Sequence, residues 1–473
     1  MEAREINLTL DFCLKVGELL LSTGAGAADV TATMRNLARH LGVASAEIDV
    51  TFVNLSMSYQ HTPEDVPVVS TRQVQHRAID YEHLTRVDHL VRALLADEVD
   101  LKEARTELGR ITSTGHSRPR WGVTIGQAVM SGGVAVMLGG DLWVILLAAV
   151  AAAAIDRLQL SMQRRRLPVF YQQASGAGLA SLLAVAVAAA PIHVDVASAI
   201  TANIVVLLAG LGFMGALQDA LTGFYITACA RLLEVLLSTA GIIAGVSGGL
   251  MLAGIFGIEI PRVEPGVTSV VGAAAAALGG AVSAAAFAYL SYAPGRILIP
   301  IAAIASMAVA ITVVIPEEVG RAWQASAGAI FVGLVSYSVS GRMKVPPLVT
   351  LVSAVVPLLP GLSIYRGLSL LSQETPGGTS AGLLALFTAA SVAVGLAAGV
   401  ILGEYIAQPL KREARRLEVR LAGPRLVGPI KVAEKRVRQD VKPTREERKR
   451  QRAAERALAR GHRPVPSESR SRT

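Results

Sequence analysis

The sequence predicts an α-helical polytopic membrane protein, with about ten transmembrane helices arranged as a 5+5 inverted repeat behind an N-terminal α+β domain. Three observations predict it. The 473 residues are 52% hydrophobic and only 17% charged, with a mean hydropathy of +0.48, which is too apolar for a soluble chain of this size. Charge is segregated: residues 1–120 carry a net −4, residues 121–408 are neutral, and residues 409–473 carry +13. Short motifs also recur inside the neutral body at a single offset of 151 residues. The domain plan that follows is a head (1–120), two five-helix units (121–256 and 257–408) and a basic tail (409–473).

In the head, "NLTLDFCLKVGELLLSTGA" and "AADVTATMRNLARHLGV" space their apolar residues three and four apart, as amphipathic helices do. "EIDVTFVNLSMSYQ" and "VPVVSTRQV" are β-branched and bounded by turn residues, and predict strands. "YEHLTRVDHLVRALLADEV" and "DLKEARTELGRI" return to helix. "STGAGAADV" reads as a turn joining two helices, with Asp29 near the start of the second. The charges in "MEAREINLTL" stand where the apolar core of a signal peptide would lie, so none is expected.

A spanning helix needs about 20 mostly apolar residues. Ten such segments fit near 122–139, 141–156, 169–190, 196–217, 231–256, 267–290, 296–315, 323–340, 346–371 and 380–407. Abundant Gly and Ala suit them, because small residues let helix backbones approach closely in lipid. Basic residues in alternate loops set the orientation. Arg157, Arg164, Arg165 and Arg166 follow the second span, Arg342 and Lys344 follow the eighth, and the tail follows the tenth. Head and tail are therefore expected in the cytoplasm, with the protein in the cell membrane; Arg366 fits this least well.

"QQASGAG" at 172–178 resembles "WQASAGA" at 323–329, pairing Gln173 with Gln324 and Ser175 with Ser326. "LLAGL" at 207–211 resembles "LLPGL" at 358–362. The shared offset maps the third span onto the eighth and the fourth onto the ninth. A unit with an odd number of spans re-enters the membrane inverted, and such repeats in transporters bind solute where broken helices meet. Proline and glycine supply candidate breaks: Pro357, Pro360 and Gly361 in the ninth span, Gly210, Gly212 and Gly215 in the fourth. Freed backbone groups persist in a membrane only where they line a cavity or are covered by protein. An ordinary packing kink is the alternative.

Ionisable residues at bilayer depth cost at least ~2.5 kcal/mol, so each is a candidate for function. "ALQDALTGFYITACARLLE" offers Gln218, Asp219, Thr222, Thr227, Arg231 and Glu234 after the fourth span. Gln218 and Asp219 complement an ammonium and a hydroxyl, and Arg231 can pair with Asp219 or Glu234, or hold a carboxylate. A solvated cytoplasmic loop is the plainer reading. Glu404 lies near the inner end of the last span, and with Asp219 it is a candidate for proton coupling. Tyr365 and Arg366 follow the break and suit an outer gate or an interfacial anchor. Gln173, Ser175, Gln324 and Ser326 suit substrate hydroxyls or, equally, interhelical hydrogen bonds. Asp156 reads as the partner of Arg157.

No nucleophile elbow, phosphate loop or zinc motif is present, and no cofactor is expected. His83 and His89, six apart, do not share a helix face for one metal. Cys13 and Cys229 lie in unlike environments and define no disulfide framework. The Arg/Lys/Glu/Ala-rich tail suits a solvated segment that contacts anionic lipid headgroups. It has no interleaved aromatics, so no nucleic acid is expected.

The head motif "GELLLSTGAGAADVTATMRNLARHLGV", followed by "LQDALTGFYITACARLLE" and "PLLPGLSIYRGL", resembles the threonine/serine exporter (ThrE) family over about residues 8–407. The resemblance implies export of small hydroxylated amino acids, L-threonine and L-serine, driven by the membrane potential or a proton gradient. It supplies no substrate-binding residues; those named above come from their chemistry. Two alternatives stand beside a transporter, which is not an enzyme. A membrane-anchored hydrolytic enzyme would need a clustered nucleophile and base in the head. A regulatory scaffold would use head and tail to recruit partners. Either reading, like the transporter, leaves room for an oligomer.

Overall fold

A computed structural model describes residues 3–188 except 63, then 210–255, 270–360 and 377–407, with isolated residues between 200 and 207 and between 363 and 370. The basic tail, Gly361 and Tyr365 lie outside the described residues.

The head begins with a helical hairpin, α1 (Ala3–Ser22) and α2 (Ala27–His40). Gly24 ends α1 by taking φ +104°, a conformation open to glycine, while Ala25 N–H closes back on the Leu20 carbonyl. A Cβ on Gly17 would strike the Met34 side chain, so the two helices pack face to face there. An antiparallel meander follows, with β1 (Glu47–Thr51), β2 (Asn54–Tyr59) and β3 (Val68–Gln73) in that spatial order. The stretch read as one strand is therefore two. Phe52 (φ 54°) and Val53 turn the chain so that Thr51 pairs with Asn54. Leu55, Met57 and Tyr59 alternate inward onto α1, joining Phe12, Leu14 and Met34 in the core. Asp80 caps α3 (Tyr81–Leu95) and Asp100 caps α4 (Leu101–Ser113), each carboxylate accepting backbone N–H groups of the first turn.

Among the described residues the further helices are α5 (Arg120–Met137), α6 (Leu142–Arg164), α7 (Val169–Ala188), α8 (Gly210–Leu221), α9 (Tyr225–Ile255), α10 (Val270–Leu290), α11 (Leu298–Val314), α12 (Arg321–Met343), α13 (Pro347–Val355) and α14 (Gly378–Ala407). Six stretches among the described residues, in α6, α9, α10, α11, α12 and α14, are long and apolar enough to cross a membrane. Leu146, Val150, Leu233, Leu237, Ile299 and Phe387 are exposed along them, a surface that makes sense only in lipid. The chain is a polytopic membrane protein.

Several expected boundaries move. α6 runs on to Arg164, absorbing most of "RLQLSMQRRRLP", because nothing in that stretch breaks a helix. Asp156 then faces back toward α5, where it binds Arg120 at 2.7 Å and the Thr124 hydroxyl at 2.7 Å rather than Arg157. α8 is continuous from Gly210, so Gly212 and Gly215 do not interrupt it. The other break is real. α13 ends at Val355, a 3₁₀ turn covers Val356–Leu358, and Leu359 is extended at ψ 139° before a buried Pro360. Proline's missing N–H stops the ladder at that point.

Helix packing follows glycine. On α9, Gly241, Gly245 and Gly249 lie against α7: Cβ atoms there would stand 2.5 Å from the Phe170 carbonyl, 2.8 Å from Gly178 N and 2.5 Å from Ser181 Cβ. On α14, Gly395, Gly399 and Gly403 do the same against α12, at 2.7 Å from the Ala322 carbonyl, 2.6 Å from the Ser326 carbonyl and 3.0 Å from Leu334 N. α5 crosses α10 through Gly133 and Gly279, with 3.1 Å from a Gly133 Cβ to the Gly279 carbonyl. Such backbone-to-backbone approach excludes any larger residue.

Candidate functional site

The head is not a separate appendage. Tyr81 N–H donates to the Ser291 carbonyl at 2.8 Å, and Arg118 donates to the Tyr289 carbonyl at 2.7 Å and to the Ala293 carbonyl. His89 Nε2 and Arg296 both meet the Lys344 carbonyl, at 2.9 and 3.2 Å. The hydrophobic cluster of the head continues through Phe287, Ile301 and Val349 of the helices.

This docking builds a site from α8, α9 and the start of α2. Asp219 sits in the last turn of α8 and Arg231 in the second turn of α9, joined by the short turn at Thr222–Phe224. Both belong to helices, not to the solvated loop the sequence allowed. They form an ion pair at 2.7 Å and are 1% and 8% exposed. Gly215 leaves room for the guanidinium, since a Cβ there would lie 3.2 Å from Arg231 Nη1. The second Asp219 oxygen accepts Ala27 N–H, at the first residue of α2, at 3.2 Å. Beside it the Thr227 hydroxyl, also buried, accepts Phe52 N–H from the β1–β2 turn at 2.9 Å. Arg77 lies over the Phe52 ring at 5.6 Å; burial, and then repulsion from Arg231, push its guanidinium down to about 10. Asp29, on the first turn of α2, is within electrostatic reach of Glu404 on α14.

One feature points to a ligand. Arg231 Nε and Nη2 are buried and have no hydrogen-bond partner among the described residues. Unmade hydrogen bonds of a buried guanidinium are costly, and two adjacent N–H groups match a carboxylate.

The other expected site residues are placed differently. The Thr222 hydroxyl donates to the Gln218 and Asp219 carbonyls and so finishes α8. Gln218 is half-buried next to Asp219. Gln324 Nε2 donates to the Ile315 carbonyl at 2.8 Å, closing the end of α11, and Ser326 donates to Ala322 within its own helix at 2.7 Å. Gln173 meets Gln159 of α6 at 3.5 Å, and Ser175 is half-buried on α7. The bonds observed for these three are within the protein: Gln173 to a side chain of the neighbouring helix, Gln324 to the end of α11 and Ser326 to its own helix. A cavity of about 800 Å³ lies away from this site in the head, lined by Leu8, Phe12, Arg72 and Arg105, where Arg72 is already bound to Asp11 and Glu18.

The sequence reading missed the head's contribution. Its visible signal was "GAGAAD": Gly26, Ala27 and Ala28 carry nothing large enough to keep the α2 amide from Asp219, and a Cβ on Gly26 would stand only 3.6 Å from that carboxylate.

Two family profiles match this chain: "Putative threonine/serine exporter" over residues 11–253 and "Threonine/Serine exporter, ThrE" over residues 276–406. A Mycobacterium tuberculosis protein named "Probable threonine/serine exporter" is 34% identical over 425 residues, covering 88% of this chain and 80% of that protein. A Corynebacterium glutamicum protein named "Threonine/serine exporter" is 32% identical over 416 residues, covering 86% of this chain and 84% of that protein. No solved structure matches. The first profile takes in the head together with Asp219 and Arg231, and the second ends just beyond Glu404, so the elements that meet at this site are the ones the matches share: the chain belongs to the threonine/serine exporter family.

Proposed function

We propose that this protein exports small hydroxylated amino acids, L-threonine and L-serine, from the cytoplasm by secondary transport, binding them between Asp219 and Arg231. The observation that carries the reading is the buried Asp219–Arg231 pair with an unused guanidinium edge. A zwitterionic amino acid bears one charge of each sign at fixed separation. Inserted into the pair, its ammonium takes Asp219 and its carboxylate takes Arg231, and the buried site stays neutral. An anion or cation alone would leave an uncompensated charge, which costs several kcal/mol. The substrate hydroxyl falls to Gln218, Thr227 or carbonyls freed at the break after α13. Gly210, at the start of α8, and Pro360, at the break after α13, border this path.

The contact of α2 with Asp219 is the closed inner gate. Ala27 N–H occupies an oxygen that a substrate ammonium would use, so loading from the cytoplasm requires the start of α2 to withdraw. Head and tail then lie in the cytoplasm. The basic loop carrying Arg342 and Lys344 supports this, because His89 of the head binds the Lys344 carbonyl.

Ten spans in a 5+5 inverted arrangement fit the packing. α5–α6 and α10–α11, α6–α7 and α11–α12, and α7–α9 and α12–α14 are contacts between corresponding helices, and α5 meets its counterpart α10 directly. The Gly241/Gly245/Gly249 and Gly395/Gly399/Gly403 ridges also correspond, each on the last helix of its unit. Two units rocking about α5 and α10 would expose the site alternately. Asp219 and Glu404 are the carboxylates proposed to carry the coupling proton.

Efflux of labelled threonine from loaded cells, with and without an uncoupler, tests the reading. Expression should accelerate efflux, the uncoupler should abolish the gain, and Asp219→Asn should remove it with the protein still in the membrane. Unchanged efflux in that variant would discard the site.

A further inference from the structure

Asp80, His83 and His116 form the one group among the described residues whose ligand atoms converge as a metal site requires, all within 4.8 Å of one another. We propose that they bind one divalent transition-metal ion of the Zn²⁺ class at the junction of head and helices. This site is separate from Asp219 and Arg231 and does not depend on the substrate reading.

Each ligand is aimed by a contact of its own. Asp80 caps α3 with Oδ1, which accepts Glu82 N–H and His83 N–H at 3.1 Å each, so the carboxylate is fixed and Oδ2 is left to the two imidazoles. Oδ2 lies 2.5 Å from His83 Nδ1 and 2.7 Å from His116 Nε2. His83 Nε2 faces the Ile111 and Thr114 carbonyls, at 3.1 and 3.3 Å, so its proton stays there, and the proton shared between Nδ1 and Asp80 is the one an ion would displace. An N–H held by a carbonyl behind a ligating histidine is the usual outer-shell arrangement of metal sites. The His116 ring is stacked on Tyr292, centroids 3.9 Å apart, and its segment is tied to α3 by Ser117, whose N–H and hydroxyl both donate to Glu82.

Two imidazoles and a carboxylate suit Zn²⁺ and its borderline neighbours. Three protein ligands leave an open position. A cavity of about 230 Å³ lined by Ser22, Thr23, His76, Asp80 and His83 adjoins the site and can supply a water. In tetrahedral geometry, bonds of about 2.0–2.1 Å place neighbouring donors about 3.3 Å apart. The present 2.5 and 2.7 Å spacings are those of shared protons. An ion replaces those protons if the donors separate by under an ångström, and His116, its side chain 34% exposed, is free to give. Bound, the ion ties α3 to the segment leading into α5, and through Tyr292 to the turn after α10.

The test uses the full-length protein, purified without a histidine tag, stripped with a chelator and titrated with Zn²⁺ by calorimetry and with Co²⁺ by visible absorption. One equivalent per chain is expected, with the ligand-field spectrum of a low-coordinate nitrogen/oxygen site. His83→Gln and His116→Gln should each weaken binding by more than the tenfold typical of losing an outer-shell partner. His89→Gln should leave it unchanged. His116 is on a surface segment, so its variant keeps the fold if the others fail. No binding, or equal binding in wild type and in His116→Gln, overturns the proposal, as does loss of binding in His89→Gln.

Discussion

Asp219 of α8 accepts the backbone N–H of Ala27, 192 positions earlier in the chain, at 3.2 Å while holding Arg231 at 2.7 Å with its other oxygen. A single carboxylate thus joins the head to the helices and neutralises the buried cation beside it. In the proposed transport cycle, ligand binding and head docking compete for the same group.

Arg231→Lys keeps the charge but loses the fork. Lysine cannot present two parallel N–H groups to a carboxylate. Losing one charged hydrogen bond costs about 1.5–3 kcal/mol, so the threonine concentration for half-maximal transport should rise about 10- to 100-fold. Concentration-dependent counterflow in proteoliposomes measures it, and an unchanged value would remove Arg231 from the binding site.

The glycine ridges are expected to tolerate nothing larger. Gly245→Ala would place a methyl against Ala174 and Gly178, and Gly399→Ala one at 2.6 Å from the Ser326 carbonyl. Each should destabilise the protein by about 1–3 kcal/mol. Gly248→Ala, one turn from Gly245 on α9 with nothing within 4 Å, should gain up to about 1 kcal/mol from helix propensity. Thermal unfolding in detergent separates the two classes.

Head docking should loosen when Thr227 loses its hydroxyl. Thr227→Val leaves Phe52 N–H without its acceptor, at a cost of about 1–3 kcal/mol. Hydrogen–deuterium exchange should rise at residues 26–28 and 51–53 with the core of α3 still protected. Unaltered exchange would mean that the contact does not hold the head.

Cys13 gives a pH signature. It is 0% exposed, and burial pushes its thiol from the ordinary 9.0 up to about 12. Above pH 9 the unfolded thiol ionises while the folded one stays protonated, so the unfolded state binds fewer protons and stability falls as pH rises. The contribution is complete below pH 9 and is lost between pH 9 and about 12, at about 1.4 kcal/mol per unit. Cys13→Val should flatten that decline in alkaline melts, and a maleimide should reach Cys13 only after unfolding.

Much of the architecture is legible in the chain because it rests on local or compositional physics. Long apolar segments, the segregated charge, the amphipathic spacing of α2 and α3 and the arrest of α13 at "PLLPG" need no knowledge of what packs where. The site is legible only in part. Asp219 and Arg231 stand out because ions in apolar sequence are costly. Their setting does not, since Ala27 and Phe52 are unremarkable residues whose backbone groups matter only by placement. The same holds for His116, which joins Asp80 and His83 across a separation no helix spacing encodes. Gln324 and Ser326 show the opposite case: the sequence left substrate contact and structural hydrogen bonds equally open, and the bonds observed are to the Ile315 and Ala322 carbonyls.

By itself, then, the sequence determined that the chain is a polytopic membrane protein, which ions stand out in its apolar stretches, and where one helix must stop. Only the tertiary structure decided that the head reaches into the helices at Asp219. Periodicity and hydropathy describe how a residue meets solvent or lipid, whereas a bond between α2 and α8 depends on two distant surfaces fitting together, and that fit is set by packing.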